Sequence, residues 1–249
     1  MNIFLWGVVP YLALISVIGG TIWRFRYDKF GWTTRSSELY EARLLRIGSP
    51  LFHYGILVVI AGHAIGLVIP ESWTNALGIS ESMYHWAAAV GGIIAALATL
   101  VGVAILIYRR RTVGPVFAAT TANDKLMYLV LVSALVAGTY ITVVGMIDPH
   151  GPGVDYRQTV APWFRSIFAL HPDIAAMEAA PLRFHIHVLI GMVLFILVPF
   201  TRLVHMFTAP LHYLFRPYIV YRSRDDNPTS GGGHSEAWAP IGTKDGARR

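Results

Sequence analysis

Four histidines of this chain stand inside long apolar stretches: His53, His63, His187 and His205. His185 stands at the start of one of these stretches. An imidazole in hydrocarbon needs partners, so a histidine inside the membrane points to function. A single one is equally well read as a hydrogen bond between helices. Two pairs on two segments point to ligation instead, because neutral imidazole is a common metal ligand. The chain of 249 residues holds ten histidines and no cysteine. Disulfides, thiolate chemistry, iron–sulfur clusters held by this chain and haem attachment through a C-x-x-C-H motif are thereby excluded.

Spacing narrows the choice. At about 100° per residue, His53 and His63 fall about 80° apart on a helix and share one broad face. His187 and His205 are separated by about five whole turns and are in line. His185 falls about 200° from His205, on the opposite face, so His187 is the better ligand and His185 the better boundary residue.

The elements that must carry these residues are long and apolar. Hydrophobic residues make up 55% of the chain and charged residues 14%, against about 25% charged in a soluble domain. Mean hydropathy is +0.52. Such a chain cannot cover a globular surface with polar groups, which excludes a soluble enzyme, a disordered tail protein and a secreted disulfide scaffold. Five stretches, over residues 3–23, 51–69, 84–108, 126–147 and 184–207, are each long enough to cross about 30 Å of hydrocarbon as a helix. The first lacks a basic leader and a small-residue cleavage site, so it reads as a retained helix. The expected fold is an all-α integral membrane bundle of five transmembrane helices over residues 1–224. Residues 225–249, with Gly231, Gly232 and Gly233, read as a flexible polar tail. Residues 24–49 mix charges with leucines and suggest a short amphipathic surface helix. The loop 148–183, with Trp163, Phe164 and Phe168, suggests an amphipathic segment along the interface.

Basic residues orient the bundle. Arg24, Arg26, Lys29, Arg35, Arg43 and Arg46 follow the first span, Arg109, Arg110, Arg111 and Lys125 follow the third, and Arg216, Arg222, Arg224, Lys244, Arg248 and Arg249 follow the fifth. The loop after the second span has none, and the one after the fourth has Arg157, Arg165 and Arg183. The positive-inside rule then puts the N-terminus outside and the C-terminus in the cytoplasm, in a cell inner membrane. The net charge of +6 follows from these loops, with no nucleic acid implied.

Depth pairs the histidines. The second and fifth spans run in opposite directions, so His63 faces His187 near the outside and His53 faces His205 near the cytoplasm. Two stacked bis-histidine sites suit two b-type haems, with these four residues as ligands of the haem irons. One strain is visible: ten residues rise about 15 Å and eighteen about 27 Å, so the helices must tilt or the haem planes lean. Gly55, Gly62, Gly66, Gly91, Gly92 and Gly102 would let a flat ring approach, or simply let helices pack. Arg202, one turn before His205, is a partner for a haem propionate or a base reaching the interface. His85, beside Tyr84 and Trp86, is either a group for quinol proton chemistry or an interfacial residue. His212 follows Pro210 and reads as lying outside the core, and His150, His171 and His234 read as loop or tail residues.

The segments Leu51–Leu57 (LFHYGIL), Ala61–Gly66 (AGHAIG), His187–Met192 (HVLIGM) and Pro199–His205 (PFTRLVH) together resemble the gamma, or cytochrome b, subunit of respiratory membrane-bound nitrate reductase. The resemblance covers roughly residues 1–224 and agrees with the five spans and the orientation. It implies that His63 and His187 hold the outer haem b and His53 and His205 the inner one. It implies a quinol site near the outer haem, with Gly62 and His63 beside it. Some members carry a lysine near the start of the third span; here Met83, Tyr84 and His85 stand there, and Tyr84 or His85 is the candidate replacement. The implied partners are membrane lipid and, on the cytoplasmic side, an iron–sulfur beta subunit and a molybdenum-containing alpha subunit that reduces nitrate. No residue of this chain is given a catalytic role of its own. The rival reading is a haem b quinol-interacting subunit of another respiratory complex, heterodisulfide-reductase-like or formate-linked.

Overall fold

Apolar runs of this length fold as helices because hydrocarbon offers no partner to a backbone N–H or C=O. The computed structural model describes residues 1–28, 37–148 and 155–208, and no strand occurs among them. A π-helical stretch, Ile3–Val8, runs into α1 (Val9–Tyr27). Then follow α2 (Arg43–Val68), α3 (Glu71–Ala76), α4 (Glu81–Thr112), α5 (Gly114–Ala118) and α6 (Ala122–Ile147). After them come α7 (Val160–Phe168), α8 (Ile174–Glu178) and α9 (Leu182–Leu197), the last extended by 3₁₀ turns at Val198–Phe200 and Arg202–Thr208. Among the described residues, five helices are long and apolar enough to cross a membrane: Ile3–Tyr27, Arg43–Val68, Glu81–Thr112, Ala122–Ile147 and Leu182–Phe200. They run up and down. Met1, the α2–α4 connection and residues 155–181 share one end, here the Met1 end; Tyr27, the α4–α6 connection and His205 share the other, the Tyr27 end.

Three expectations change. The second helix begins at Arg43, not Leu51, and carries Pro50 inside it. The described part of residues 24–49 holds no separate surface helix: it divides between the end of α1, the irregular residues 37–42 and the first turns of α2. Buried Arg109 on α4 explains the irregular part. It donates to the Ser37 hydroxyl and carbonyl, to the Glu41 carbonyl, and to Glu41 Oε2 at 2.6 Å. The other carboxylate oxygen of Glu41 accepts the Leu44 N–H, one of the orphan donors at the start of α2. Third, the fifth span is no continuous helix over 184–207, since α9 stops at Leu197 and 3₁₀ turns follow. The tail over 225–249, the basic residues after Phe207, His150, His212 and His234 lie outside the described residues.

Packing depends on notches. A Cβ on Gly102 would strike the Phe52 backbone, and one on Gly55 would lie 2.8 Å from the Thr99 nitrogen, so α2 and α4 pack backbone to backbone. The Met1 end has a cap. On α7 the residues Val160, Ala161, Trp163 and Ile167 face inward, as the aromatic loop suggested. Trp163 stacks edge-on against Trp6 and donates to the Trp6 carbonyl at 2.9 Å. Large apolar side chains such as Ile15 and Phe25 point outward along the spans, as a lipid-facing surface requires.

Candidate functional site

The fold brings the four histidines together as two pairs. The rings of His53 and His205 lie 5.9 Å apart, centre to centre, and those of His63 and His187 lie 6.0 Å apart. The interplanar angles are 71° and 39°. The His63 pair is nearer the Met1 end and the His53 pair nearer the Tyr27 end. Two imidazoles binding one metal from opposite sides, with metal–nitrogen bonds of about 2.0 Å and ring centres about 1.2 Å beyond, would have centres about 6.4 Å apart. Both pairs come within about half an ångström of that distance.

Ring nitrogens decide what the pairs can bind. His53 Nδ1 donates to the Ser49 carbonyl at 2.7 Å, and His63 Nδ1 to the Val59 carbonyl at 2.8 Å. His205 Nδ1 donates to the Arg202 carbonyl. A proton held at Nδ1 by a carbonyl leaves the Nε2 lone pair for a metal, the usual arrangement of a ligating histidine. No group of three or more metal-ligating side chains occurs among the described residues. Two imidazoles are too few for a bare zinc, which takes four ligands, but they suit an iron whose other four positions a porphyrin fills.

The break before His205 is built by residues that sequence spacing did not single out. Pro199 lacks an N–H and Thr201 is extended, with φ −119° and ψ −178°. The carbonyls left over by the break are taken up. Arg24 Nη1 donates to Pro199 O at 2.6 Å and to Thr201 O at 3.0 Å, and Asn123 donates to Phe200 O at 2.6 Å. Arg202 grips Asp124 with two hydrogen bonds of 2.7 Å. Asp124 is itself part of a capping box with Thr121 at the start of α6. The Thr-x-x-Asp pattern was the one sign of it in the sequence. The proposed propionate partner Arg202 is thus already engaged by a carboxylate.

Tyr84 and His85, adjacent in sequence, diverge. His85 Nε2 donates to the Gly145 carbonyl of α6 at 3.1 Å. Tyr84 shares a 3.0 Å hydrogen bond with the Tyr156 hydroxyl. That hydroxyl fits against Gly66 on α2, where a Cβ would strike it, three residues beyond His63. Buried Arg157 lies 4.0 Å over the Tyr84 ring, pairs with Glu81 at 2.9 Å and donates to Thr74 at 2.6 Å. Burial, with the Tyr84 hydrogen bond, pushes the Tyr156 hydroxyl well above the usual phenol range, so it stays protonated. Tyr156 and Arg157 lie in a loop without periodicity, and only contacts across the fold identify them. His185 is a boundary residue as expected, its Nε2 donating to Met177 O at 2.7 Å. Of the glycines weighed as haem clearances, Gly55, Gly66 and Gly102 serve protein contacts, Gly92 meets Thr142, and Gly62 and Gly91 would meet no atom within 4 Å.

Comparison with known proteins gives the family of the chain. The family described as nitrate reductase gamma subunit matches residues 2–224. The nitrate reductase gamma chain of Bacillus subtilis is 47% identical over 220 residues, covering 88% of this chain and 97% of that protein. The respiratory nitrate reductase 2 gamma chain of Escherichia coli is 31% identical over 225 residues, covering 90% of this chain and 98% of that one. The nitrate reductase-like protein NarX of Mycobacterium tuberculosis is 62% identical over 226 residues, or 91% of this chain. The chain spans about a third of NarX, 34% of its length. With five apolar helices and a match over nearly all of them, this is a multi-pass membrane protein that belongs to the nitrate reductase gamma subunit family.

Proposed function

We propose that the chain is a di-haem cytochrome b that oxidises quinol near the outer face, releases the two protons outside and delivers the two electrons inward. They go to an iron–sulfur subunit, which feeds a molybdenum subunit that reduces nitrate. One observation carries the reading: two histidine pairs at 5.9 and 6.0 Å, at two depths, on the same two spans. His53 and His205 hold the inner haem, and His63 and His187 the outer one. Bound there, haem supplies one-electron chemistry; the chain supplies ligation, depth and tuning. Carbonyls at Ser49, Val59 and Arg202 hold three of the rings as Nε2 acceptors. Gly62, His63, Tyr84 and His85 line the quinol side. Tyr84 is held by Tyr156 and Arg157 and so offers a fixed hydroxyl. Arg202, as a member of its pair with Asp124, would hold a propionate. Moving each electron inward across the membrane potential corresponds to about 2.3 kcal/mol per 100 mV, so the chain acts as half of a redox loop.

The test is a reduced-minus-oxidised spectrum with pyridine haemochrome quantitation on membranes holding the assembled complex. Wild type is run beside His63→Ala and His205→Ala. The expected result is two b haems per chain, with a different one lost in each variant. Assembled wild type without haem would overturn the reading.

A further inference from the structure

His187 differs from the other three histidines. Its Nδ1 is buried without a hydrogen-bond partner. No carbonyl of its own helix takes that proton, whereas Ser49, Val59 and Arg202 do so for His53, His63 and His205. Across the interface, on α6, stands Gly138. A Cβ there would lie 3.0 Å from His187 Cε1, 3.5 Å from Nε2 and 3.6 Å from Nδ1. The imidazole therefore lies edge and face against a bare backbone notch. At 3.0 Å a methyl group is closer than packed carbon atoms tolerate. Adding it would move the ring or part the helices.

We infer that Gly138 is the positioning group of His187: α6, not α9, sets the plane of this imidazole. The inference rests on the haem reading above and adds to it an element that carries no ligand. Three ligands are oriented by the helix or turn that bears them, so they follow the local backbone. The fourth is oriented across a helix interface. Its ring plane, and with it the angle to His63, now 39°, follows how α6 packs on α9. The strength of an imidazole as ligand depends on the bond made by its other nitrogen. The haem at the His63 pair is therefore the one whose properties respond to α6.

The test uses the assembled complex in membranes, with Gly138→Ala compared to Gly92→Ala, a helix contact at 3.4 Å from Thr142 that touches no histidine. The readouts are the low-spin ferric EPR signal, whose anisotropy follows the angle between the imidazole planes, and the midpoint potential of each haem. The expected result is a displaced EPR feature and a shifted potential for the His63/His187 haem in Gly138→Ala alone, with the other haem unmoved. Both haems unchanged in Gly138→Ala, or the same displacement in Gly92→Ala, overturns the positioning role while leaving the haem reading intact. A wild type with no haem assigned to His187 overturns the haem reading itself. If Gly138→Ala does not assemble, electron–nuclear double resonance of the exchangeable ligand protons in wild type decides. One Nδ1 proton distinct from the other three supports the inference; four alike overturn it.

Discussion

An imidazole in a membrane interior must commit both nitrogens, and here a backbone carbonyl takes one of them in three cases of four. That leaves the position of each ring as the variable, and the side chains around it do the adjusting. Asp124 is the residue on which most converges. It caps α6, and it holds Arg202, whose carbonyl in turn holds His205. Removing one member of a buried pair costs about 3–5 kcal/mol; with Arg202 19% exposed and Asp124 9%, about 2–3 kcal/mol is expected of Asp124→Ala. The loss should fall on one haem. Thermal bleaching of the reduced spectrum should begin at the His53/His205 haem in Asp124→Ala, with the His63/His187 haem lost at the wild-type temperature. Equal loss of both would assign Asp124 to the bundle as a whole.

The break in the fifth span makes the two pairs compatible. Along straight helices ten residues rise about 15 Å and eighteen about 27 Å, so two ligand pairs on straight neighbours would be mismatched by about 12 Å. Ending α9 at Leu197 and turning through 3₁₀ geometry redirects His205 to His53. Such a break inside an apolar span is tolerated only where the freed carbonyls find donors, and Arg24 on α1 supplies them to Pro199 and Thr201. Arg24→Leu should leave those carbonyls short of donors, at about 1–3 kcal/mol for each group stranded out of water. Haem quantitation should then show the His53/His205 haem substoichiometric and the other at full content; full content of both would mean that Arg24 only anchors α1. The five spans were legible in the sequence because long apolar runs leave a membrane chain no other structure. The pairing was legible because antiparallel order alone sets which histidines share a depth. The break was less so: Pro199 is its sign in the sequence, but Val198–Phe200 stays apolar while its backbone changes, and a wheel drawn through it treats the segment as straight. Arg24, read as a topology signal only, and Tyr156 and Arg157, in an aperiodic loop, acquire roles through contacts with residues more than seventy positions away.

For the whole molecule the question is which end faces which compartment, because the direction of charge movement depends on it. Basic residues crowd the Tyr27 end, and Arg109 is buried there with Ser37 and Glu41 as partners, so at least this one serves the fold as well as topology. The Met1 end carries the apolar cap of α7 and α8 and the His63/His187 pair. On the proposed function, with that end outward, quinol protons would leave on the positive side and each electron would cross toward the cytoplasm. The absence of cysteine makes the assignment measurable, since any introduced thiol on this chain is unique. Leu77, at the Met1 end, is 78% exposed and Leu39, at the Tyr27 end, is 100% exposed, so neither substitution disturbs a core. An impermeant maleimide should label Leu77→Cys from outside intact, wall-stripped cells, and should label Leu39→Cys only after the membrane is opened. The reverse pattern would place quinol oxidation beside the cytoplasm. Protons would then be released and consumed on the same side, and the chain could carry electrons to nitrate without conserving energy.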